Sequence, residues 1–339
     1  MMKILVTGGA GFIGGNFVKY MVNKYPEYHI FNLDALTYAG DLTKHRDVEE
    51  RENYSFIKAD IADREIINEF FNKEKFDYVV HFAAESHVDR SITEPEIFIK
   101  TNVLGTQVLL DAAKSINVKK FVHVSTDEVY GELDFDPETF FTEHTPLKPN
   151  SPYSASKASS DMIVRAYYET YNMPINITRC SNNYGPYHFP EKLIPLTISR
   201  VLNDEKVPVY GDGKNIRDWL HVEDHCSAID LVMHEGDLGE VYNVGGHNEK
   251  TNLEVVKTII SALDKSEDLI EFVEDRLGHD KRYAIDPTKL EKLGWNPIYN
   301  FETGIKQTIE WYLANKDWWE NIVNGDYKNY FEEQYTFVK

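Results

Sequence analysis

Residues 7–15 read TGGAGFIGG, and this stretch decides the fold of the chain. Gly9, Gly11 and Gly14 have the spacing G-x-G-x-x-G, and Gly8 with the last two gives G-x-x-G-x-x-G equally well. The strand-like run KILVTG leads into the glycines, and the helix-like run FIGGNFVKYMVNKY follows from them. Glycines at such a turn allow the backbone to approach a pyrophosphate, whose charge then meets helix N–H groups. The stretch therefore predicts a dinucleotide-binding turn.

An acidic residue at the end of the next strand-like run supports this interpretation. Asp34 ends the run YHIFNLD and lies twenty residues beyond Gly14. Its carboxylate can accept hydrogen bonds from adenosine ribose hydroxyls, and it would repel a 2′-phosphate, so NAD is favoured over NADP. Asp60 and Ile61 follow the third strand and are expected near the adenine, although a strand-end cap explains them equally well.

Strand-like and helix-like segments alternate through the first half of the chain. Buried-strand patterns occur at 3–8, 28–34, 54–60, 77–84, 119–126 and 175–180, and helical patterns at 64–74, 96–116 and 153–172. This alternation predicts an α/β fold with a Rossmann-type, doubly wound parallel sheet. After residue 185, Gly and Pro interrupt the pattern, and a strand at 240–246 with helices at 196–204, 252–263 and 301–314 predicts a smaller mixed α/β lobe.

We therefore predict two domains. Residues 1–184 are expected to form an NAD-binding Rossmann domain, to which 217–246 returns. Residues 185–216 and 247–339 are expected to form a C-terminal substrate-binding lobe.

Composition restricts the partners and the compartment. The net charge of −20 disfavours nucleic acid and anionic membranes as partners. Cys180 and Cys226 are too few for a disulfide framework and lack metal-site spacing, so we expect reduced thiols, no metal and a cytoplasmic location. The first strand begins almost at once, which leaves no room for a signal peptide, and no apolar run is long enough to cross a membrane.

Tyr153 and Lys157 form a Y-x-x-x-K pair in a helix-like stretch. Residues four apart share one helix face, so the phenol and the ammonium can point into one cleft. A nearby ammonium favours phenolate and would lower the Tyr pKa, which would make Tyr153 a base at neutral pH. An ordinary surface pair is the alternative.

The nucleotide fingerprint and the Y-x-x-x-K pair together resemble the extended short-chain dehydrogenase/reductase family. In that family the Tyr takes a hydroxyl proton as hydride leaves the same carbon for NAD⁺, the Lys holds the nicotinamide ribose, and a Ser or Thr steadies the hydroxyl. The resemblance implies the third role for Thr126, with Ser125 as the substitute. Phe12, Ile13, Ala83 and Thr101 complete the expected cofactor site, and Asn183 is expected on its nicotinamide side.

The run VSTDEVYG at 124–131 places two acids directly after Thr126. Alcohol oxidation does not require them, but elimination of water needs one group to remove a proton and another to protonate the departing oxygen. Adjacent carboxylates can divide these tasks if their environments separate their pKa values. The run resembles the active-site stretch of nucleotide-sugar 4,6-dehydratases, which implies Asp127 as the acid and Glu128 as the base. Two solvated acids at a strand end are the alternative.

The same resemblance covers roughly residues 2–320 and supplies the expected substrate contacts. These are Ser86, His87, Thr126, Asn182, Lys192, Arg217, Asn252 and His279, with Arg282 as a further phosphate ligand. Arg217 with Asp218 could instead be a surface ion pair, and Asn252 could be a helix N-cap. Two positions depart from the family pattern: Gly15 stands where Ser or Ala would suit the helix better, and Leu277 stands where Pro is expected.

The resemblance implies a redox-neutral reaction on a nucleotide-diphosphate sugar. Glucose on thymidine diphosphate would be oxidised at C4, lose water across C5–C6 and receive the hydride back at C6, while the NAD stays tightly bound and is regenerated in each turnover. A homodimer joined through 96–116 and 153–172 is also implied. The alternatives are the uridine diphosphate sugar as substrate, a nucleotide-sugar 4-epimerase or decarboxylase, and a non-enzymatic NAD-sensing protein.

Overall fold

The computed structural model of the protein describes residues 1–275 and 278–324. Leu277 and the segment 325–339 of the predicted lobe lie outside the described residues. The elements of the first half are β1 (Met2–Thr7), α1 (Phe12–Lys24), β2 (Tyr28–Asp34), a 3₁₀ turn (Leu42–His45), β3 (Tyr54–Lys58), α2 (Arg64–Glu74), β4 (Tyr78–His81), α3 (Val88–Thr93), α4 (Pro95–Phe98), a π-helical turn (Ile99–Gly105), α5 (Thr106–Ser115), β5 (Lys120–Thr126), a 3₁₀ turn (Asp127–Tyr130), α6 (Pro152–Tyr171) and β6 (Ile175–Cys180).

The elements of the second half are shorter and less regular. They are β7 (Asn182–Tyr184), α7 (Leu193–Leu202), β8 (Val207–Tyr210), β9 (Ile216–His221), α8 (Val222–Glu235), β10 (Val241–Val244), β11 (Glu249–Thr251), α9 (Asn252–Ala262), a 3₁₀ turn (Glu267–Leu269), β12 (Ile270–Val273), α10 (Thr288–Glu291), α11 (Phe301–Ala314) and α12 (Lys316–Asn324).

Seven strands form one parallel sheet in the order β10-β6-β5-β4-β1-β2-β3. The strand order reverses between β1 and β4, and a crevice opens at such a point outside the carboxyl ends of the strands. The predicted Rossmann-type sheet is confirmed.

Both faces of this sheet are covered, which explains why its strands read as continuous apolar runs. Ile4 and Val6 belong to the core shared with α1 and α8, whereas Leu5 belongs to the opposite core, shared with α2, α5 and α6. Successive side chains of a strand point to opposite faces, so β1 contributes to both cores.

The second half divides between this sheet and two smaller ones. Strand β10 pairs with β6 at the edge of the large sheet, and α8 packs against α1. Strands β11, β9 and β7 form a three-stranded sheet, and β12 pairs with β8. A separate core, which includes Tyr184, Trp219 and Ile305, joins the three-stranded sheet to α7, α9 and α11. The division of the chain into two domains at the predicted boundaries stays a prediction.

One predicted helix differs from its expectation. The stretch 96–116 is helical, but its first half passes through a π-helical turn at Ile99–Gly105. The buried Asn102 side chain in this turn accepts a hydrogen bond from the Glu85 backbone N (2.8 Å) and donates to the Glu85 backbone O (3.0 Å) and to Ser156 Oγ (2.8 Å). These long-range bonds hold the wider turn, and π-turns of this kind are frequent at functional sites.

Within the two described ranges, no helix has both the length and the apolar character needed to cross a bilayer.

Candidate active site

The glycine turn between β1 and α1 has no room for side chains at two positions. Gly8 has φ +71°, and a Cβ there would lie 2.6 Å from the Ala83 backbone N. A Cβ at Gly14 would lie 2.3 Å from the Gly8 backbone O. Gly11 is the N-cap of α1 and has no side chain with which to cap the first N–H groups of that helix. This arrangement fits a diphosphate bound at the N-terminus of α1.

Asp34 lies beside this turn at the carboxyl end of β2. Its Oδ2 accepts a hydrogen bond from the Ala10 N (2.9 Å), and its Oδ1 accepts one from the Leu36 N (2.8 Å). Burial raises the pKa of Asp34, while the two N–H donors act in the opposite direction. The carboxylate is therefore held in place for the ribose contact that the sequence predicts.

A cavity of about 440 Å³ lies at the carboxyl end of the parallel sheet. Every residue that the sequence assigns to the cofactor lines it except Gly9 of the G-x-G-x-x-G spacing, from Gly8, Gly11 and Gly14 through Asp34 to Asn183. The predicted reacting residues Thr126, Asp127, Glu128, Tyr153 and Lys157 line the same cavity. The structure thus brings both predicted sets together, and the roles of the individual residues stay predictions.

The two acids after β5 occupy different environments. Asp127 begins a 3₁₀ turn whose N-cap is Thr126, and Thr126 Oγ1 accepts a hydrogen bond from the Glu128 N (3.3 Å). Asp127 is only 2% exposed, whereas Glu128 is partly exposed. Burial, followed by the charges of Glu128 and Asp218, raises the pKa of Asp127 well above its usual range. The raised pKa favours the protonated form of Asp127, and because Asp127 is buried, the alternative of two solvated acids is wrong.

Tyr153 and Lys157 lie one turn apart at the start of α6. The Lys157 ammonium donates a hydrogen bond to the Val124 O (2.9 Å), and burial lowers the Lys157 pKa to about 8. The pKa of Tyr153 is raised well above 10 by burial and by neighbouring groups, Glu128 foremost, although a hydrogen bond with Thr126 acts in the opposite direction. The predicted lowering of this pKa is therefore wrong for the protein alone, because burial and the charges of neighbouring groups raise it.

A buried anion lies one turn beyond Lys157 on α6. Asp161 accepts a hydrogen bond from Arg179 Nε (2.9 Å) and lies 3.3 Å from His123 Nε2. Burial raises the Asp161 pKa, but the charge of Arg179 and the contact with His123 outweigh burial and lower it to about 2. The charged Asp161 in turn raises the pKa of Lys157, which offsets part of the effect of burial on the ammonium.

The predicted substrate residues fall into two groups. Ser86, Thr126, Asn182 and Lys192 line the cavity. The buried Oδ1 of Asn182 has no hydrogen-bond partner within the described part of the chain, which fits a polar ligand group at that point.

His87, Arg217, Asn252 and His279 are not part of the cavity lining. His87 is the N-cap of α3, and its Nε2 lies 3.6 Å from Oε2 of Glu191, which does line the cavity. His279 Nδ1 lies 2.6 Å from Asp275 Oδ1.

Both structural alternatives for the substrate residues are wrong. Arg217 and Asp218 are 5% and 2% exposed, so they are not a surface pair. The Arg217 guanidinium lies 4.2 Å from the centre of the Tyr283 ring, and its charge lowers the pKa of Asp127 against the effect of burial. Asn252 is the first residue of α9, and the N-cap is Thr251, which forms a capping box with Glu254.

Arg282 corrects a further expectation. Its guanidinium is buried and donates to both carboxylate oxygens of Glu249 (2.7 and 3.0 Å) and to the backbone O atoms of Asp136 and Thr139 (both 2.8 Å). These contacts join β11 to the 136–139 loop, so Arg282 acts as a structural clamp rather than as a phosphate ligand in this structure.

Sequence patterns did not indicate several residues that line the cavity. Tyr38, Lys44, Glu191 and Trp219 all do so. Tyr38 donates a hydrogen bond to Glu191 Oε1 (3.2 Å), which joins the loop after Asp34 to the segment before α7. No local spacing connects these positions, so only the folded chain reveals them. In the ranges that the structure describes, no cluster of three His, Cys, Asp or Glu side chains could hold a metal ion.

A parallel sheet with this strand order, a glycine turn at its reversal and a Tyr-Lys pair in the same crevice define the extended short-chain dehydrogenase/reductase class. Within it, the chain belongs to the family described as GDP-mannose 4,6 dehydratase, which matches residues 5–308.

Relatives and solved structures agree with this family. The dTDP-glucose 4,6-dehydratase of Shigella flexneri is 51% identical, with 98% of this chain and 99% of that protein covered. The crystal structure of the dTDP-glucose 4,6-dehydratase of Bacillus anthracis in complex with NAD has a TM-score of 0.89 at 52% identity, covering 95% of this chain and 100% of that one. The UDP-glucose 4-epimerase of Thermotoga maritima with UDP-glucose has a TM-score of 0.86 at 31% identity, covering 93% and 100%.

The N-cap of α6 offers a test of how the helix with Tyr153 is held. Ser151 Oγ accepts a hydrogen bond from the Ser154 N (3.1 Å), and Ser154 Oγ accepts one from the Ser151 N (3.0 Å). We expect Ser151→Ala to lower the free energy of unfolding by about 1 kcal/mol in urea denaturation, because it removes one side of this capping box. Ser159→Ala, at an exposed position of the same helix, is the control. If both variants lose the same free energy of unfolding, Ser151 has no capping role.

Proposed function

We propose that the protein is an NAD-dependent hydro-lyase that converts dTDP-glucose to dTDP-4-keto-6-deoxyglucose. The observation that carries the proposal is the pair of unequal acids, a buried Asp127 beside a more exposed Glu128, in one cavity with Tyr153. The identity of about half the residues with dTDP-glucose 4,6-dehydratases, over nearly the whole chain, supports this substrate.

The residues of the cavity fit NAD. The glycine turn would receive the diphosphate, Asp34 the adenosine ribose, and Lys157 the nicotinamide ribose. When bound, NAD supplies the redox chemistry by accepting a hydride from C4 of the sugar and returning it to C6. The reaction is then redox-neutral, so a tightly bound dinucleotide serves every turnover.

Tyr153 removes the proton of the 4-hydroxyl group as C4 is oxidised. In the protein alone its raised pKa keeps the phenol protonated. A cation bound nearby lowers the pKa of a phenol, and the oxidised nicotinamide ring carries a positive charge. The contact with Thr126 acts in the same direction, and both residues line the cavity that would receive the substrate.

Glu128 and Asp127 perform the elimination. The 4-keto group makes the C5 proton acidic, and Glu128 accepts that proton. Asp127, whose raised pKa favours its protonated form, donates a proton to the C6 oxygen as the C6–O bond breaks and water leaves. As the hydride returns to C6, Glu128 gives a proton back to C5, which completes the 4-keto-6-deoxy product. The proton that Tyr153 took from the 4-hydroxyl group is released, and Asp127 regains one through solvent, so the cycle closes.

We expect the purified protein, without added NAD, to release one water per molecule of dTDP-glucose. In heavy water the product should carry deuterium at C5, and mass spectrometry measures both changes. UDP-glucose, the second arm of the experiment, should react more slowly. If neither sugar loses water even with NAD supplied, the proposed reaction is wrong, and interconversion of the sugars at C4 would identify an epimerase instead.

Asp127→Asn should slow the elimination about a hundredfold or more, because an amide cannot supply the proton to the C6 oxygen. Oxidation at C4 should persist, so the absorbance of reduced nicotinamide should accumulate after rapid mixing with substrate. Asp134→Asn makes the same chemical change on a side chain that is 92% exposed, and it should leave both steps unchanged. Normal water loss by an Asp127→Asn, Glu128→Gln double variant would refute the assignment of the acids.

The protein is further proposed to be a cytoplasmic homodimer. The cytoplasmic location is supported by Cys180 and Cys226, which are both buried, unpaired thiols. The homodimer is supported by large apolar side chains on the two predicted interface segments. Ile99 and Leu104 of the π-helical turn and Met162 of α6 are 53%, 46% and 52% exposed, and these two elements pack against each other.

A Leu104→Glu, Met162→Glu double variant should sediment as a monomer, because the interface would then bury two carboxylates. Leu238→Glu, at a position that is 49% exposed on another part of the surface, should leave the sedimentation coefficient unchanged. A wild-type protein that sediments as a monomer would exclude the homodimer.

A further inference from the structure

Lys44 is a buried cation in the wall of the cofactor cavity. It belongs to the 3₁₀ turn Leu42–His45, and it is only 2% exposed. Neither the glycine fingerprint nor the Tyr-Lys pair accounts for it. A lysine is seldom buried to this extent unless its charge has a function or a partner.

The ammonium of Lys44 lies at the base of the glycine turn. It donates a hydrogen bond to the Gly11 backbone O (3.0 Å), and Gly11 is the N-cap of α1. Burial lowers the pKa of Lys44 to about 8, while the carboxylates of Asp41 and Asp34 act in the opposite direction. The cation therefore lies among the groups that would surround the adenosine ribose and the diphosphate.

The path of this side chain explains a departure from the family pattern. A Cβ at Gly15 would lie 2.6 Å from Lys44 Cδ, and it would also approach the Gly9 O at 3.2 Å. The aliphatic part of Lys44 thus crosses α1 at Gly15, in space that a Ser or Ala side chain would occupy. Glycine is a poor helix former, and the close approach of the Lys44 side chain explains why glycine nevertheless occupies position 15 of the chain, inside α1.

The other ammonium groups that line the cavity lie elsewhere. Lys157 is beside Tyr153 at the reacting end, and Lys192 is the N-cap residue of α7. In a chain of net charge −20, a dinucleotide diphosphate next to the Asp34 carboxylate meets considerable repulsion. A buried cation beside Gly11, close enough to Asp34 and Asp41 to interact with both, offsets part of that repulsion.

We propose that Lys44 is a cofactor-binding residue whose ammonium holds the ribose–diphosphate part of the dinucleotide, and that Gly15 leaves the space for its side chain. The proposal rests on the proposed use of NAD. An ammonium has three N–H donors, and within the described residues Lys44 forms one hydrogen bond, to Gly11. The remaining donors can serve the dinucleotide.

The test measures the dinucleotide itself rather than turnover. Bound NAD is quantified in freshly purified protein, and its rate of release is followed by gel filtration at successive times. Lys44→Met, which keeps the length of the side chain, should release NAD about tenfold faster or more, as expected for the loss of one charge-assisted hydrogen bond.

Lys120→Met is the matched control. Lys120 is also buried, but its ammonium donates to the backbone O atoms of Val232 and Gly236, away from the cavity. This variant should release NAD at the wild-type rate, which separates loss of the contact from loss of a buried lysine in general.

A second pair of variants tests the role of Gly15. Gly15→Ala should speed NAD release by displacing Lys44, whereas in a Lys44→Ala background the same change should leave the release rate unaltered. Equal effects in both backgrounds would show that Gly15 does not serve Lys44.

The outcomes separate this inference from the proposed function. Wild-type release kinetics in Lys44→Met would overturn the role of Lys44 alone. A wild-type protein that carries no NAD and binds none when it is supplied would overturn the proposed function together with this inference.

Discussion

One backbone contact organises the site: the first glycine turn lies against the end of β4 with no space for a side chain between them. A Cβ at Gly8 would lie 2.6 Å from the N and 2.7 Å from the Cα of Ala83. Because β1 and β4 are the two strands between which the sheet order reverses, this contact sets where α1 begins and where the crevice opens. Asp34, at the end of β2, lies on one flank of the crevice. Thr126 and Asp127, at the end of β5, lie on the opposite flank.

Burial in this crevice shifts the chemistry of several groups toward their neutral forms. The same exclusion of water raises the pKa values of Asp127 and Tyr153 and lowers those of Lys157 and Lys44. The pKa of Asp161 is lowered instead, because the positive charge of the adjacent Arg179 and the contact with His123 outweigh the effect of burial. One cavity therefore holds a carboxyl group and ammonium groups whose pKa values are all shifted toward the neutral form, and a bound ligand can change these shifts.

The sequence predicted what depends on local pattern. The parallel strands followed from their apolar runs, and the glycine turn and Asp34 followed from fixed spacing. It could not predict the pKa of Tyr153, because the helix spacing to Lys157 is local whereas the approach of Glu128 requires the folded sheet. The clamp at Arg282, the burial of Arg217 and the position of Lys44 also depend on contacts between segments far apart in the chain.

The π-helical turn at Ile99–Gly105 makes the length of its segment as important as its composition. A π-turn holds more residues than an α-helical turn, so removal of one residue would restore regular α-helix and rotate the preceding side chains by about 100°. Thr101, which lines the cavity, and Asn102, which anchors Glu85 and Ser156, would then point elsewhere. Deletions in this segment are therefore more disruptive than substitutions on its exposed face. The number of residues between β4 and α5 is set by the need to place Thr101 at the cavity and Asn102 beside Glu85 and Ser156, rather than by core packing.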